Sequence, residues 1–319
     1  MKVYNSLDNI KITDKLVVAL GTFDGIHMGH RTIINDAVNV ARQKGIKSGV
    51  YTFSNHPVNF IKGQEPSDED AVHLLCSEED KLKLLEELGV DYVFNVPFDK
   101  HIMTMQPMDF IQDILLIKLN VDTVCCGFNY TFGDRAAGNV EMLKSDGVRI
   151  GLSVNVHEPV LFDQEVVSST AIRRLIREGK METTARYLWR YFHIRGVVKH
   201  GNKLGRNLGF PTMNFNAPDY LELPPNGVYF SRIQIDGVKY NSITNIGIKP
   251  TVGGHDKTVE TFVFDFEKDT YGEEVTVELI KFHRPEKAFN SVEELKKQVL
   301  RDCNDAKIFH KKIKEQKYN

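Results

Sequence analysis

Apolar residues arrive along this chain in two rhythms. In the first half, short apolar-rich runs at Val17–Leu20, Ser48–Phe53, Tyr92–Val96, Thr123–Cys126 and Ser153–Val156 alternate with stretches whose apolar positions recur every three or four residues. The latter cover Thr32–Gln43, Ser77–Leu88, Pro107–Lys118 and Asn139–Asp146. Short buried strands alternating with amphipathic helices predict a parallel sheet with right-handed crossovers. A last helix, Ser169–Glu178, opens with "SST", a good N-cap run. Near Tyr187 the rhythm changes. From His193 onward the runs "HIRGVVKHG", "GVYFSRIQIDGVKYNSITNIG", "VETFVFDF" and "EEVTVELIKFHR" follow the two-residue period of antiparallel strands. Asp236-Gly237 marks a hairpin turn. A terminal helix, Ser291–Lys314, begins with the capping box Ser291-x-x-Glu294. The expected fold class is α/β: a parallel-sheet domain over residues 1–186, then a small antiparallel β-barrel with a terminal helix over 187–319.

Bulk properties narrow the function classes. The 319 residues suffice for two domains with real cores. A hydrophobic fraction of 41%, a charged fraction of 26% and a formal net charge of −2 give no electrostatic footprint for nucleic acid or an anionic membrane. No apolar stretch approaches the roughly 18–20 residues of a membrane span, and "MKVYNSLDNIKITDK" lacks the apolar core of a secretion signal. Cys125 and Cys126 are adjacent in a strand-like run, while Cys76 and Cys303 stand alone, so no disulfide framework is expected. A cytoplasmic protein acting on small molecules is the resulting expectation.

Candidate chemistry concentrates first at "LVVALGTFDGIHMGH" (Leu16–His30), where a strand hands over to a helix. Gly21 and Gly25 permit a tight turn. His27 and His30, three apart, are expected on one face of the emerging helix, whose N-terminus offers free N–H groups and positive potential to phosphate. The chain has no G-x-x-x-x-G-K-[ST], and its glycines at 21, 25 and 29 do not fit the dinucleotide fingerprint. A zinc site would need partners such as His56 or Cys76, which form no recognisable set with the histidines. By itself an H-x-x-H pair carries no function.

"GTFDGIHMGH" resembles the H-x-G-H signature of nucleotidylyltransferases, a Rossmann-like superfamily, in the form found in prokaryotic bifunctional riboflavin kinase/FAD synthetases. "GFNYTFGDRAAGN" (Gly127–Asn139) resembles that family's second nucleotide motif, and "VVSSTAIRR" (Val166–Arg174) its S-S-T-x-[IV]-R motif. The resemblance implies an ATP site at Gly21, Phe23, Asp24, His27, His30, Asn129, Ser169, Thr170 and Arg173, with His27 and His30 catalytic. Departures are Ala171, where the family commonly has arginine, and Ser54-Asn55 in "TFSNHP", where Asp-Pro is common.

The second concentration is "KHGNKLGRNLGFPTMNF" (Lys199–Phe215). Its glycines suit a backbone cradle for phosphates, and Thr212 and Asn214, two apart on a strand, share a face. Alone, this stretch reads more readily as a structural basic hairpin loop. "GRNLGFPTMNF" nevertheless resembles the riboflavin kinase signature G-R-x-L-G-F-P-T-x-N. "VETFVFDFEKDTYGEEV" and "FHRPEKAF" resemble later kinase segments, with Phe262 in place of the usual histidine. The resemblance implies ATP and Mg²⁺ binding by Gly201, Lys203, Gly205, Arg206, Gly209, Pro211, Thr212 and Asn214, with Thr212 and Asn214 on the Mg²⁺. It also implies a flavin site at Glu260 and Arg284, with Glu260 the catalytic base.

Two sequential reactions follow from the resemblance: phosphorylation of riboflavin to FMN in the barrel, then adenylylation of FMN to FAD in the α/β domain. ATP, Mg²⁺ and flavins are the implied ligands, with neither nucleic acid nor membrane as partner. The alternatives are a nucleotidylyltransferase with another acceptor, a variant keeping one activity, and a non-catalytic flavin sensor. The G-F-P-T-x-N segment argues against the first. Ala171 and Phe262 bear on the second, and retention of Glu260 and both histidines argues against the third.

Overall fold

A computed structural model of the chain describes residues 1–8, 10–199, 210–251 and 254–316. Its contacts divide the chain into two compact units, Met1–Ala171 and Ile172–Asn319.

In the first unit, six strands form one all-parallel sheet: β1 Lys2–Tyr4, β2 Leu16–Leu20, β3 Lys47–Phe53, β4 Tyr92–Val96, β5 Val121–Gly127 and β6 Ser153–His157. Their order across the sheet is β1-β4-β3-β2-β5-β6. Helices α1 Met28–Lys44, α2 Pro57–Lys62, α3 Glu78–Glu87 and α4 Lys100–Thr104 lie between the strands. The short α5 Pro107–Asp109 runs into π-helical turns over Phe110–Lys118, and α6 Val140–Met142 into similar turns over Leu143–Gly147.

The apolar rhythm explains the layering. Side chains alternate along β2, so Val17 and Ala19 meet Ile34, Ala37, Val38 and Ala41 of α1. Leu16, Val18 and Leu20 meet Phe110, Ile111, Ile114 and Leu115 on the opposite face. After β2 the chain works outward through β3 and β4, and from β5 it works outward the other way. The reversal falls between β2 and β5, and in such sheets the crevice beyond the strand ends at that point takes the ligand.

The second unit begins within α7 Ser169–Arg177 and continues through α8 Met181–Leu188. Its strands are β7 Phe192–Val197, β8 Thr212–Asn216, β9 Gly227–Ile235, β10 Val238–Thr251, β11 Gly254–Val263 and β12 Glu274–Pro285. They form one antiparallel sheet in the order β7-β12-β9-β10-β11-β8. The sheet curls into a half-barrel whose end strands are β7 and β8. Those ends approach closely at one point, where a Cβ on Gly196 would lie 2.1 Å from the Phe215 ring.

The β9–β10 turn is the expected one. Asp236 (φ 47°) and Gly237 (φ 77°) are both left-handed, as a type I′ hairpin requires. The terminal helix α9 spans Val292–Gln316. Ser291 Oγ accepts from the Glu294 N–H at 3.1 Å, and the Glu294 carboxylate reaches back to the Asn290 N–H at 3.2 Å. Cys303 and Ala306 of α9 pack on Val228, Phe230 and Ile243 of the sheet and on Phe264 just beyond β11.

Candidate active sites

After Leu20 the chain turns through left-handed backbone at Phe23 (φ 49°), Gly25 (φ 81°) and Ile26 (φ 41°). A β-branched residue in this region is strained, on the order of 1–3 kcal/mol, and full burial of Phe23 and Ile26 holds it there. The turn delivers His27 as the N-cap of α1, its Nδ1 accepting the His30 N–H at 3.3 Å. His27 thus sits just before the helix rather than on its face. The two rings still meet, stacked with centroids 3.5 Å apart and planes at 20°. Gly29 allows this, because a Cβ there would lie 3.2 Å from His27 Cε1.

An imidazole that accepts at Nδ1 carries its proton on Nε2. His30 Nδ1 is buried with no hydrogen-bond partner among the described residues. Burial, and next the neighbouring His27, push the His30 pKa well below its ordinary value. A neutral imidazole with an unused ring nitrogen therefore stands at a helix N-terminus, an arrangement completed by an anion.

A cavity of about 840 Å³ opens here. Gly21, Phe23, His27, His30, Asn129 and Ser169 all line it, brought together from β2, α1, the end of β5 and the start of α7. Ser169 Oγ donates to the Asp24 carbonyl at 3.1 Å, fastening the start of α7 to the histidine turn. The capping expected of the SST run falls to Ser168, whose Oγ accepts from the Ala171 N–H at 3.2 Å. The Asp24 carboxylate accepts the Leu75 N–H at 2.9 Å and so holds a neighbouring loop. Thr170 is exposed and Arg173 is buried in the second unit; neither is among the cavity's lining residues.

The cavity also has an apolar wall: Phe53, Ile61, Phe98, Ile102, Met105 and Phe110. Apart from Phe53, which ends β3 within the "TFSNHP" stretch, no motif marks these residues, since they come from separate loops and helices.

On the half-barrel, strand register assembles the second constellation. Asn214 on β8 pairs with Glu260 on β11, which pairs with Asn245 on β10; Val228 on β9 and Arg284 on β12 continue the same rank. Asn214 Nδ2 donates to the Thr212 carbonyl (2.9 Å) and Thr212 Oγ1 (3.2 Å), which leaves Asn214 Oδ1 as an oxygen donor beside the threonine. Asn245 escaped the sequence reading because only strand register places it beside Glu260.

Phe262 pairs across the strands with Thr212 and meets the Phe210 ring edge-on at 5.5 Å and 89°. Arg284 ends the rank, but its guanidinium grips Asp302 of α9, with Nη2 at 2.7 Å and Nε at 3.1 Å. Pro211 is exposed beside Thr212. Gly201, Lys203, Gly205, Arg206 and Gly209 lie outside the described residues.

Residues 9–171 match the FAD synthetase family and residues 188–310 the riboflavin kinase family. Over 92% of both chains, the sequence is 33% identical to the bifunctional riboflavin kinase/FMN adenylyltransferase of Bacillus subtilis. Its counterpart in Escherichia coli K12 is 31% identical over 97% of this chain and 98% of that one. The chain belongs to the bifunctional riboflavin kinase/FMN adenylyltransferase family. Among solved structures it is similar to a Streptococcus pneumoniae protein described as a macrolide-efflux protein, with TM-score 0.86, 28% identity and coverage of 96% and 98%. No described helix here is long and apolar enough to cross a membrane. As a riboflavin kinase/FMN adenylyltransferase, the chain is a transferase of two activities, with one candidate site in each unit.

Proposed function

We propose that residues 187–319 phosphorylate riboflavin and residues 1–186 adenylylate the product, through the residues assembled above. The observation that carries the second step is the stacked His27–His30 pair, with its unpartnered ring nitrogen, on a cavity of nucleotide size with an apolar wall.

In the kinase step, the Glu260 carboxylate takes the proton of the terminal ribityl hydroxyl. The oxygen then forms a bond to the γ-phosphorus of ATP while the bond from that phosphorus to the β-phosphate oxygen breaks, releasing ADP. Asn214 and Asn245 are the cross-strand neighbours of Glu260 on either side, in register. Thr212 and Asn214 supply the adjacent oxygen donors that a hard cation prefers, so these two would hold Mg²⁺. When bound, Mg²⁺ would offset charge on the ATP phosphates. Gly201, Lys203, Gly205, Arg206, Gly209 and Pro211 complete the ATP contacts of this reading. Arg284 acts from the rank's end, with α9 fixing its orientation.

In the adenylyl step, a phosphate oxygen of FMN attacks the α-phosphorus of a second ATP and pyrophosphate leaves. The nucleophile is already an anion, so the demand is for alignment and charge stabilisation rather than a base. His27, His30 and the α1 N-terminus face that charge, with Gly21, Phe23, Asn129 and Ser169 around the nucleotide. Asp24, Thr170 and Arg173 enter this reading through the motif resemblance; Asp24 braces the turn through the Leu75 N–H, and none of the three lines the cavity. The apolar wall suits the flavin ring. All four cysteines are free and buried, which suits a reducing cytoplasm.

The test is a time course of the purified protein with riboflavin, ATP and Mg²⁺, beside one started from FMN, with flavins separated by chromatography. FMN rising first and FAD following is the expected result. FMN without FAD would remove the adenylyl assignment and direct attention to Ala171. FAD from supplied FMN alone would remove the kinase assignment and direct it to Phe262.

A further inference from the structure

Where α1 crosses β5 and β6, three side chains with different donor atoms converge. Asp36, Cys125 and His157 place a carboxylate oxygen, a thiol sulfur and a ring nitrogen all within 4.8 Å of one another. Asp36 Oδ2 lies 3.3 Å from Cys125 Sγ and 3.1 Å from His157 Nε2. Asn155 Nδ2 donates to that same oxygen at 3.0 Å. None of these residues belongs to a motif of the two activities.

We propose that Asp36, Cys125 and His157 form a binding site for one borderline divalent cation of the Zn²⁺ class, separate from the nucleotide's own cation. The geometry suits such an ion. Zinc bonds of about 2.0–2.3 Å at tetrahedral angles put O, N and S donors roughly 3.4–3.6 Å apart, so the two separations from Asp36 Oδ2 need open by only a few tenths of an ångström, and the sulfur and ring nitrogen already lie within 4.8 Å of each other. The donor set is selective, because thiolate and imidazole turn away Mg²⁺ and Ca²⁺ while favouring Zn²⁺ and Co²⁺.

The scaffold is rigid. Cys125 is fully buried on a central strand, and Asn155 and His157 follow it in register on β6 through Cys125 and Gly127. Asn155 supplies the outer hydrogen bond that orients a ligating carboxylate. Access exists as well: the Asp36 and His157 side chains keep 28% and 21% of their exposure, and His157 lines the cavity.

Without the ion, the thiol proton and the imidazole Nε2 proton both point at Asp36 Oδ2. On binding, the thiol proton leaves to solvent and the imidazole proton moves to Nδ1. The carboxylate, thiolate and divalent ion then sum to zero charge. A fourth position remains for water or another ligand.

The experiment titrates the reduced, metal-free full-length protein with Co²⁺. One equivalent should give tetrahedral visible bands and a near-ultraviolet thiolate-to-cobalt charge-transfer band, both erased by Zn²⁺ but not by Mg²⁺. Cys125→Ser should abolish the charge-transfer band, and Cys126→Ser, on the opposite face of the strand, should retain it. Asn155→Ala should weaken binding about 10–100-fold. Absence of a saturable charge-transfer band in the parent protein would overturn the proposal. So would a band surviving Cys125→Ser, or binding lost in His30→Ala and kept in Cys125→Ser.

Discussion

His30 illustrates how one side chain can be poised by what it lacks. Its Nδ1 is buried without a partner, and the ring is kept neutral by burial and by the His27 ring stacked upon it. An unpaired buried nitrogen is tolerable if a phosphate oxygen completes it during turnover. His30→Ala should therefore cost about 10²–10³-fold in adenylyl transfer with FMN formation spared, measured by the two flavin time courses. Equal loss of both activities would mark a folding defect instead. Glu260→Gln reverses the pattern: FMN formation should fall about 10²–10⁴-fold, the usual worth of a general base, with adenylylation of supplied FMN unchanged. Gly29→Ala tests the geometry rather than the chemistry. The added methyl meets His27 Cε1 at 3.2 Å, so the capping ring must move. The expected outcome is slower adenylyl transfer with a thermal midpoint lowered by only a few degrees, since the α1 cap contributes about 0.5–2 kcal/mol.

Elements carry these residues into place, and α9 does so at long range. Asp302 on this helix, only 4% exposed at its side chain, receives Arg284 through two nitrogens and Gln298 Nε2 at 2.8 Å, with His283 Nε2 at 3.3 Å. Removing one member of a buried ion pair strands the other, which costs about 3–5 kcal/mol. Asp302→Ala should lower stability to denaturant by that order and raise KM for riboflavin more than it lowers kcat. Elements were also the most legible scale. The parallel strands, α1, α3, the β9–β10 hairpin and α9 all follow from apolar spacing and turn residues. The strand that escaped is β1, whose three residues are too short for any period to register and which pairs only with β4, about ninety positions away; the short helices α2, α4 and α8 escaped as well. The histidine turn was legible because one local segment holds it whole. The apolar cavity wall, Asn245 beside Glu260, and Asp36 beside His157 were not. In each of these, residues distant in sequence are joined by sheet order or register, which no local pattern encodes.

At the scale of the whole molecule, the two units share one pH liability. His30 in the first and His310 in the second both have pKa values lowered chiefly by burial, and His310 keeps a bond from Nε2 to the Ser242 carbonyl at 3.2 Å. In the unfolded chain both imidazoles titrate near 6.5. Above that pH neither state holds the extra proton, and native stability is complete. As pH falls below it, the unfolded chain takes up protons that the native protein refuses, so stability drops until each native pKa is reached. Carboxylates act lower. Asp36, Asp91 and Asp122 are each pushed up by burial but brought down further by hydrogen bonds and ion pairs, so their contribution persists until pH falls below about 4. The window between roughly 6.5 and 4 therefore belongs to the histidines. Calorimetry from pH 8 to 5 should show a flat midpoint down to about 6.5 and a steady fall beyond it. His310→Gln should flatten the fall of the second unit alone. ATP should flatten that of the first, because a triphosphate beside His30 favours the protonated ring that burial disfavours. A midpoint that rose as pH dropped through 6.5 would mean that neither imidazole is held neutral in the native protein, and the anion-completed reading of His30 would go with it.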